Sequence, residues 1–291
     1  MKTVLYIVAR LGSTRVPKKN ILSLNGIPMI IRTYNQVKKI SGIDKIRLAT
    51  TESPIDDELV EVAKKHNLDV FRGHSEYVLD RVFHAASEDK AKIILYAGGD
   101  GPLIDPEIYS KALKDFKSKK INFLTCYEPQ TFPGGYDFNI IDFNSLKIAY
   151  EGALVPSQRI NMFSFFTFND TEIQKLNFEN EKDLSETHFS LDYPEDIDFF
   201  NLIFSEIDAK GAKINLENTL KIIKDNEELS RMRKNLSKPK SSNALFNSVH
   251  IMKGFFKDIE FLMQLAKNEK DTNVKEKYLI QASKIAKKLS E

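Results

Sequence analysis

The sequence predicts an α/β fold built on a mainly parallel sheet flanked by helices, and three observations carry that expectation. Short β-rich runs alternate with helical patterns through the first half: TVLYIVA, then 28–39, then KIRLAT, then 57–66. That alternation is the signature of βαβ units. The helical stretches hold their apolar residues on one face, Ile27, Ile30, Ile31, Tyr34 and Val37 in one and Val78, Leu79, Val82, Phe83 and Ala86 in another. The run KIILYAGG ends in glycines and leads into a helix expected from Pro106 to Lys117. Residues 98–105 therefore form a strand-to-helix loop, and in open parallel sheets ligands bind at such carboxyl ends of strands.

Farther along, after INFLTCY, the pattern loosens into PGGYDFNIIDF, a short helix over 145–151 and the aromatic strand MFSFFTF. Together they suggest a small inserted lobe, mixed or antiparallel, over about 127–187. HFSLDYPEDIDFFNLIF returns to strand, turn and helix, with Pro194 at the helix start and Glu195 and Asp196 in its first turn. The polar, proline-bearing SKPKSSN marks a linker over 237–244 that closes a main domain of residues 1–236. Beyond it Phe255, Ile259, Leu262, Met263 and Ala266, then Ile285, Ala286 and Leu289, predict a C-terminal helical hairpin over 245–291.

Composition narrows the partners. Hydrophobic content of 42% with 29% charged residues is ordinary for a globular chain. The 43 basic and 41 acidic residues nearly cancel, so no global field favours nucleic acid or an anionic membrane. The opening MKTVLYIVARLG flows into a polar, basic loop without a small-residue cleavage site, and reads as a first strand. No stretch approaches the roughly 18 apolar residues of a membrane span. The single cysteine, Cys126, has no internal disulfide partner and no neighbouring base, so it is expected in the core. A cytoplasmic protein is expected.

The strongest local anomaly is electrostatic. Residues 1–43 hold Lys2, Arg10, Arg15, Lys18, Lys19, Arg32, Lys38 and Lys39 and no carboxylate. Within that stretch ARLGSTRVPKKN gathers Arg10, Arg15, Lys18 and Lys19 around Gly12, Ser13 and Thr14, directly after the first strand. Backbone N–H groups near a glycine, hydroxyl donors and guanidinium forks suit phosphate oxygens, which makes this a candidate triphosphate cradle. Read alone, it is equally a solvated basic turn. GxxxxGK[ST] is absent and the first βα turn has no GxGxxG, which argues against a P-loop kinase and a dinucleotide-binding dehydrogenase.

A second feature is GGDGPLIDP, with Asp100 just past a strand end, matched by Asp192 in SLDYPED after a later strand. Two such carboxylates can hold magnesium against a polyphosphate, because this hard cation takes oxygen ligands. Taken singly, each is as well explained as a helix cap or turn residue. His66, His74, His84, His188 and His250 show no HxxxH or HExxH spacing; His188 stands out for preceding the strand that ends at Asp192.

Four segments in order, ARLGSTRVPKKNILSLNGIPMI, RGHSEYVLDRVFHAA, GGDGPLIDP and LDYPEDIDFF, resemble the cytidylyltransferase family that includes SpsF-type proteins and the CMP-KDO and CMP-sialate synthetases. The resemblance covers roughly residues 1–205. It implies a Rossmann-like nucleotidyltransferase fold, CTP as donor, Mg2+ as cofactor, a sugar or ulosonic acid acceptor, and a smaller lobe that supports a homodimer. It places Ala9, Arg10, Leu11, Gly12, Ser13, Arg15 and Lys19 in the triphosphate loop, Gly99 and Asp100 beside them, and Asp100 and Asp192 on magnesium. Arg10, Arg15, Lys19 and Asp100 would serve the transfer itself. Thr50, Asp80 and Arg81 fall where such enzymes contact the nucleoside, and Asp137, Arg159 and His188 fall near the acceptor.

The sequence also departs from that pattern. SpsF-type members usually carry Cys after the GD aspartate and Arg four residues before it, where this chain has Gly101 and Tyr96. Their Arg-Glu-His run reads Ser157, Gln158, Arg159, Ile160 and Asn161 here. Alternatives therefore stay open: transfer to a phosphorylated acceptor giving an NDP-linked product, or a non-catalytic nucleotide-binding homologue. A glycosyltransferase is disfavoured by GGD in place of DxD.

Overall fold

A computed structural model describes residues 1–168, 172–236 and 243–290 of the 291-residue chain. Of the linker expected over 237–244, residues 237–242 lie outside the described residues, as do the side chains of Phe255 and Leu289.

The elements follow in chain order: β1 (Thr3–Val8), β2 (Ser23–Leu24), β3 (Ile27–Pro28), α1 (Met29–Val37), β4 (Lys45–Thr51), α2 (Asp57–Lys65), β5 (Asp69–Gly73), α3 (Val78–Asp89), β6 (Ile93–Gly98) and α4 (Pro106–Ser118). The second half adds β7 (Phe123–Thr125), β8 (Phe138–Asp142), α5 (Phe143–Gly152), α6 (Pro156–Ile160), α7 (Ser164–Phe168), β9 (Lys175–Asn177), α8 (Asp196–Lys210), α9 (Leu216–Asp225), α10 (Glu227–Leu236), α11 (Asn243–Asn268) and α12 (Thr272–Ser290).

The chain divides into two compact units. The first, Met1–Ser75, Arg81–Leu146 and Ile173–Lys238, carries a seven-stranded sheet of order β5-β4-β1-β6-β8-β7-β9. β1, β4, β5 and β6 run parallel, while β8 is antiparallel to both β6 and β7. Val4, Leu5, Tyr6 and Ile7 of β1 are all fully buried, because helices cover a parallel sheet on both faces. The strand order reverses between β1 and β6, whose last pair is Val8 with Gly98. Ligand crevices open at such switch points.

Local chemistry sets the element ends. Asp105 caps α4 by accepting from Glu107 N at 2.9 Å, with Pro106 in the first turn. Its other oxygen accepts from Leu216 N at 2.9 Å, tying α9 to α4. Arg32 grips Asp208 at 3.0 and 2.7 Å and lies over the Phe204 ring at 4.2 Å, which fixes α8 against α1.

The second unit comprises Glu76–Asp80, Lys147–Glu172 and Pro239–Glu291. Its small core joins Val155, Leu262, Ala282 and Ile285, with Ile259 and Tyr278 packed against them. Residues 147–168 thus associate with the C-terminal helices, whereas 127–146 and 173–187 of the lobe read from sequence pack in the first unit. No helix among the described residues is long and apolar enough to cross a membrane.

Two segments depart from the sequence reading. MFSFFTF, expected as a strand, forms the helix α7. Asn161 explains the switch, since its side chain accepts from Phe163 N at 3.1 Å and its carbonyl from Ser164 N at 3.0 Å, starting a turn that overrides aromatic β-propensity. The segment before Asp192, also expected as a strand, makes one β-bridge, Gly134 with His188, and is otherwise extended chain. Cys126 is fully buried and bonded to the Phe138 backbone, and burial pushes its thiol up to about 12.

Candidate active site

The basic turn after β1 is held by a carboxylate that sequence reasoning had not singled out. Asp56, fully buried, accepts from Leu11 N at 2.6 Å and from the Thr51 hydroxyl. Asn20 adds a second tie, donating to Arg10 O at 2.9 Å. Ala9 packs so close to Gly99 that a Cβ on Gly99 would lie 2.6 Å from it, so β1 and β6 approach at their ends only because 99 is glycine. At Gly12 a Cβ would meet nothing within 4 Å, so the fold itself makes no demand for glycine there.

Beyond this turn the charged groups converge. Lys19 Nζ donates to Asp100 Oδ2 at 2.9 Å, to Leu191 O at 3.0 Å and to Asp192 Oδ1 at 3.3 Å. Arg15 reaches the same Asp192 oxygen at 2.9 Å and lies over the Tyr193 ring at 4.9 Å. The other oxygen, Asp192 Oδ2, receives Ser190 Oγ at 2.7 Å and stands 3.1 Å from His188 Nε2. Backbone bonds set the frame: Leu191 N donates to Asp100 O, and Asp192 N and Tyr193 N both donate to Asp196 Oδ2 at 2.7 Å.

The electrostatics follow from those contacts. Burial works against ionisation of Asp192, but the His188 hydrogen bond, the Lys19 charge, Ser190 and Arg15 together hold its carboxyl far below the usual range. Burial likewise opposes charge on Lys19, and Asp100 and Asp192 reverse this and raise its value. The bond to Asp192 raises His188. Asp137 goes the other way. Burial pushes it up to about 6, with the Asp100 charge adding to the rise.

Among the described residues no three His, Cys, Asp or Glu gather into a metal cage. Two carboxylates sharing one ammonium nevertheless suit magnesium, which takes one or two carboxylates and completes its shell with water and substrate phosphates. Asp100 and Asp192 already hold a cation, the Lys19 ammonium, between them.

Other expected residues are engaged elsewhere. Thr50 and Arg81 are sealed in the interior, 0% and 1% exposed. Arg81 is committed to the carbonyls of His74, Ser75 and Ala49, and burial, with the Arg10 charge, lowers it to about 10. It thereby braces the turn after β5, to which Arg10 also donates through Ser75 O at 3.2 Å. Asp80 and Arg159 belong to the second unit and pair with each other at 2.9 and 3.0 Å, Arg159 also donating to Ala153 O. Each of these two side chains is thus spent on the other.

Comparison with known proteins bears on the same segments. The profile of the cytidylyltransferase family matches residues 4–250. The chain belongs to the cytidylyltransferase family. A 3-deoxy-manno-octulosonate cytidylyltransferase of a Nitratiruptor species is 31% identical over 170 residues, 54% of this chain and 68% of that protein. The spore coat polysaccharide biosynthesis protein SpsF of Bacillus subtilis is 34% identical over 113 residues, 37% of this chain and 47% of its own length. The chain thus spans about half the length of several curated relatives.

Among solved structures, a cytidylyltransferase from Leptospira borgpetersenii serovar Hardjo-bovis superposes with a TM-score of 0.73 at 28% identity, covering 79% of this chain and 96% of that one. The structure of CMP:2-keto-3-deoxy-manno-octonic acid synthetase complexed with CTP shares the fold, with a TM-score of 0.56 at 18% identity, over 71% and 99% of the two chains. The Rossmann-like nucleotidyltransferase sheet expected from sequence is therefore the fold of this family member.

Three supporting residues of this cytidylyltransferase-family site escaped the sequence reading. Asp56 lies just before the helix expected over 57–66 and drew no reading of its own, and Ser190 and Asp196 gain meaning only once Asp192 is placed. The departure at Gly101 has a steric counterpart: a Cβ there would lie 2.2 Å from Gly135 O.

Proposed function

We propose that the chain is a magnesium-dependent cytidylyltransferase that moves CMP from CTP onto a sugar or ulosonic acid, releasing pyrophosphate, in surface polysaccharide or glycan biosynthesis. The observation that carries this reading is the meeting of Lys19 with Asp100 and Asp192, Arg15 alongside, beyond the carboxyl ends of β1 and β6 where the strand order reverses. Family membership supplies the nucleotide class.

The reaction is an in-line attack by an acceptor oxygen on the α-phosphorus. Positioning and charge neutralisation supply most of the catalysis, and no protein nucleophile is needed. Lys19 and Arg15 turn from the carboxylates to the triphosphate, where their charge offsets what grows on the departing pyrophosphate. Arg10, the Ser13 hydroxyl and the Gly12 backbone amide orient the β- and γ-phosphates, the Leu11 and Ser13 amides being held by Asp56 and Leu11 O. Asp100 and Asp192 would hold Mg2+, which when bound neutralises phosphate charge. Ser190 and His188 keep Asp192 ionised, and Asp196 fixes its backbone.

A cytoplasmic location and a homodimer belong to the same reading, and size-exclusion chromatography with light scattering tests the latter. The decisive experiment incubates the purified protein with CTP, GTP, UTP or ATP and Mg2+ against hydroxyl and phosphate acceptors, following pyrophosphate. CTP-selective, acceptor-dependent release is expected. Tight nucleotide binding with no release across the panel would favour a non-catalytic homologue instead.

A further inference from the structure

Asp137 stands apart from the other carboxylates of the site. The pairing of β6 with β8 sets Ala97 opposite Phe138, so Asp137 lies one step beyond that pair, at the end of β6 that leads into Asp100. The turn carrying it, Pro133–Asp137, is wedged against both acidic segments. Gly135 O crowds Gly101, Gly134 lies against the His188 ring, and Gly135, at φ +90, packs on the Phe189–Ser190 backbone. Gly134 N donates to Thr187 O at 2.9 Å, Phe189 N returns a bond to Gly134 O at 2.6 Å, and Tyr109 OH anchors Asp137 O at 3.0 Å. A glycine pair makes this close approach possible.

The carboxylate itself is under-partnered. Oδ1 is sealed from solvent with no hydrogen bond, and Oδ2 takes one long contact, Gly135 N at 3.4 Å. Tyr127 lends a further hydrogen bond from its side chain. No lysine or arginine among the described residues pairs with it, whereas Asp192 is saturated by Lys19, Arg15, Ser190 and His188. The residue as a whole keeps partial exposure. Two acids in one site, one held only by Gly135 N and Tyr127 with an oxygen left unbonded and one gripped by two cations, divide into a proton carrier and a charge holder.

We propose that Asp137 is the proton acceptor of the transfer step, so that the acceptor atom is a hydroxyl oxygen and not a phosphate oxygen. This rests on the cytidylyltransferase reading above. As the acceptor oxygen forms its bond to the α-phosphorus, its proton passes to Asp137; the bond from the α-phosphorus to the bridging oxygen breaks and pyrophosphate carries that electron pair away. Asp137 then returns the proton to solvent. The product holds a single phosphate between nucleoside and acceptor. An ionised phosphate acceptor would bring no proton to remove.

Groups facing Asp137 are Asp100 at the end of β6, His188 on the extended segment, the buried Tyr109 and Cys126, the half-buried Tyr96 and the more exposed Tyr127. Burial raises the tyrosines and the thiol out of the physiological range. His188 is raised by Asp192, so a variant at 137 is needed to separate the two titrations.

The test follows pyrophosphate release from pH 5 to 8 with CTP, Mg2+ and either a hydroxyl or a phosphate acceptor, in wild type, Asp137→Asn and Asp137→Glu, with calorimetry of CTP binding in parallel. Expected are hydroxyl-dependent turnover with an acid limb near 6 in wild type, and a kcat loss of about 10²–10³ in Asp137→Asn with the limb gone and CTP affinity within about threefold. Asp137→Glu should recover at least about tenfold of that loss. An Asn variant that is impaired only in acceptor KM, or that keeps the limb, overturns the proposal. So does turnover confined to phosphate acceptors, which would leave the cytidylyltransferase reading standing; no turnover with either acceptor removes that reading too. Should Asp137→Asn fail to bind CTP, the wild-type limb and the Glu variant decide alone, and a flat wild-type profile counts against Asp137.

Discussion

Lys19 and Asp100 meet across 81 positions of sequence, with Nζ 2.9 Å from Oδ2. The same ammonium touches Asp192, so a single lysine neutralises two acids that would otherwise repel. It is 12% exposed, sheltered enough for its charge to count. Removing it both deprives the nucleotide of a phosphate partner and takes from Asp100 its ammonium, while Asp192 keeps Arg15 and His188. Lys19→Ala is expected to weaken CTP binding by about 10- to 100-fold, as for loss of a charge-assisted bond of roughly 1.5–3 kcal/mol, and to slow turnover as well. Calorimetry and pyrophosphate release check both; a change confined to acceptor affinity would count against the cradle.

Asp56 carries the basic turn. Its two oxygens are spent on Leu11 N and the Thr51 hydroxyl in a fully buried setting. Asp56→Ala strands both donors and is expected to cost about 2–4 kcal/mol in urea denaturation. CTP affinity should fall along with stability, although Asp56 touches no ligand.

Gly101 tests the wedge. An added Cβ would lie 2.2 Å from a backbone oxygen, which cannot swing aside as a side chain could. Gly101→Ala should therefore destabilise by about 1–3 kcal/mol or more and lower turnover by parting Asp100 from Asp137. A variant of wild-type Tm and rate would show the contact to be yielding.

Asp137 has a stability signature of its own. Its folded value, about 6, exceeds its ordinary 3.8, so between those values the folded chain holds the proton and the unfolded chain has lost it. Stability then falls as pH rises through that window. Asp137→Asn should accordingly be more stable than wild type at pH 7, by about 1–3 kcal/mol, with the difference shrinking to nothing below about pH 4. A slower yet more stable variant is the pattern of a residue kept for chemistry. Equal stabilities at pH 7 would contradict its burial.

The contrast between what the sequence disclosed and what it concealed has a physical basis. The parallel sheet was legible because Val4–Ile7, Leu48 and Leu95 sit in short, continuously apolar runs, as strands covered on both faces require, that alternate with helical patterns. The ends of two of those runs pointed to the Lys19 turn and to Asp100, since ligands gather at strand termini, whereas Asp192 was reached through an expected strand that is extended chain with one bridge. Asp56 and Ser190 were hidden because their partners lie far along the chain or, for Ser190, depend on the path of 187–192. Arg81 misled for the opposite reason: a guanidinium in a plausible motif proved to be bonded to three backbone carbonyls. The α7 segment misled because one Asn outweighed four aromatic residues in deciding the local turn.

The most direct test of the convergence is acceptor-dependent pyrophosphate release from CTP and Mg2+ in Asp100→Asn and Asp192→Asn beside wild type, with circular dichroism to establish that the fold is intact. Each variant should lose about 10² or more in kcat, as for removal of a transition-state electrostatic partner. Near-wild-type turnover in either would contradict a shared site for these carboxylates and the nucleotide tail.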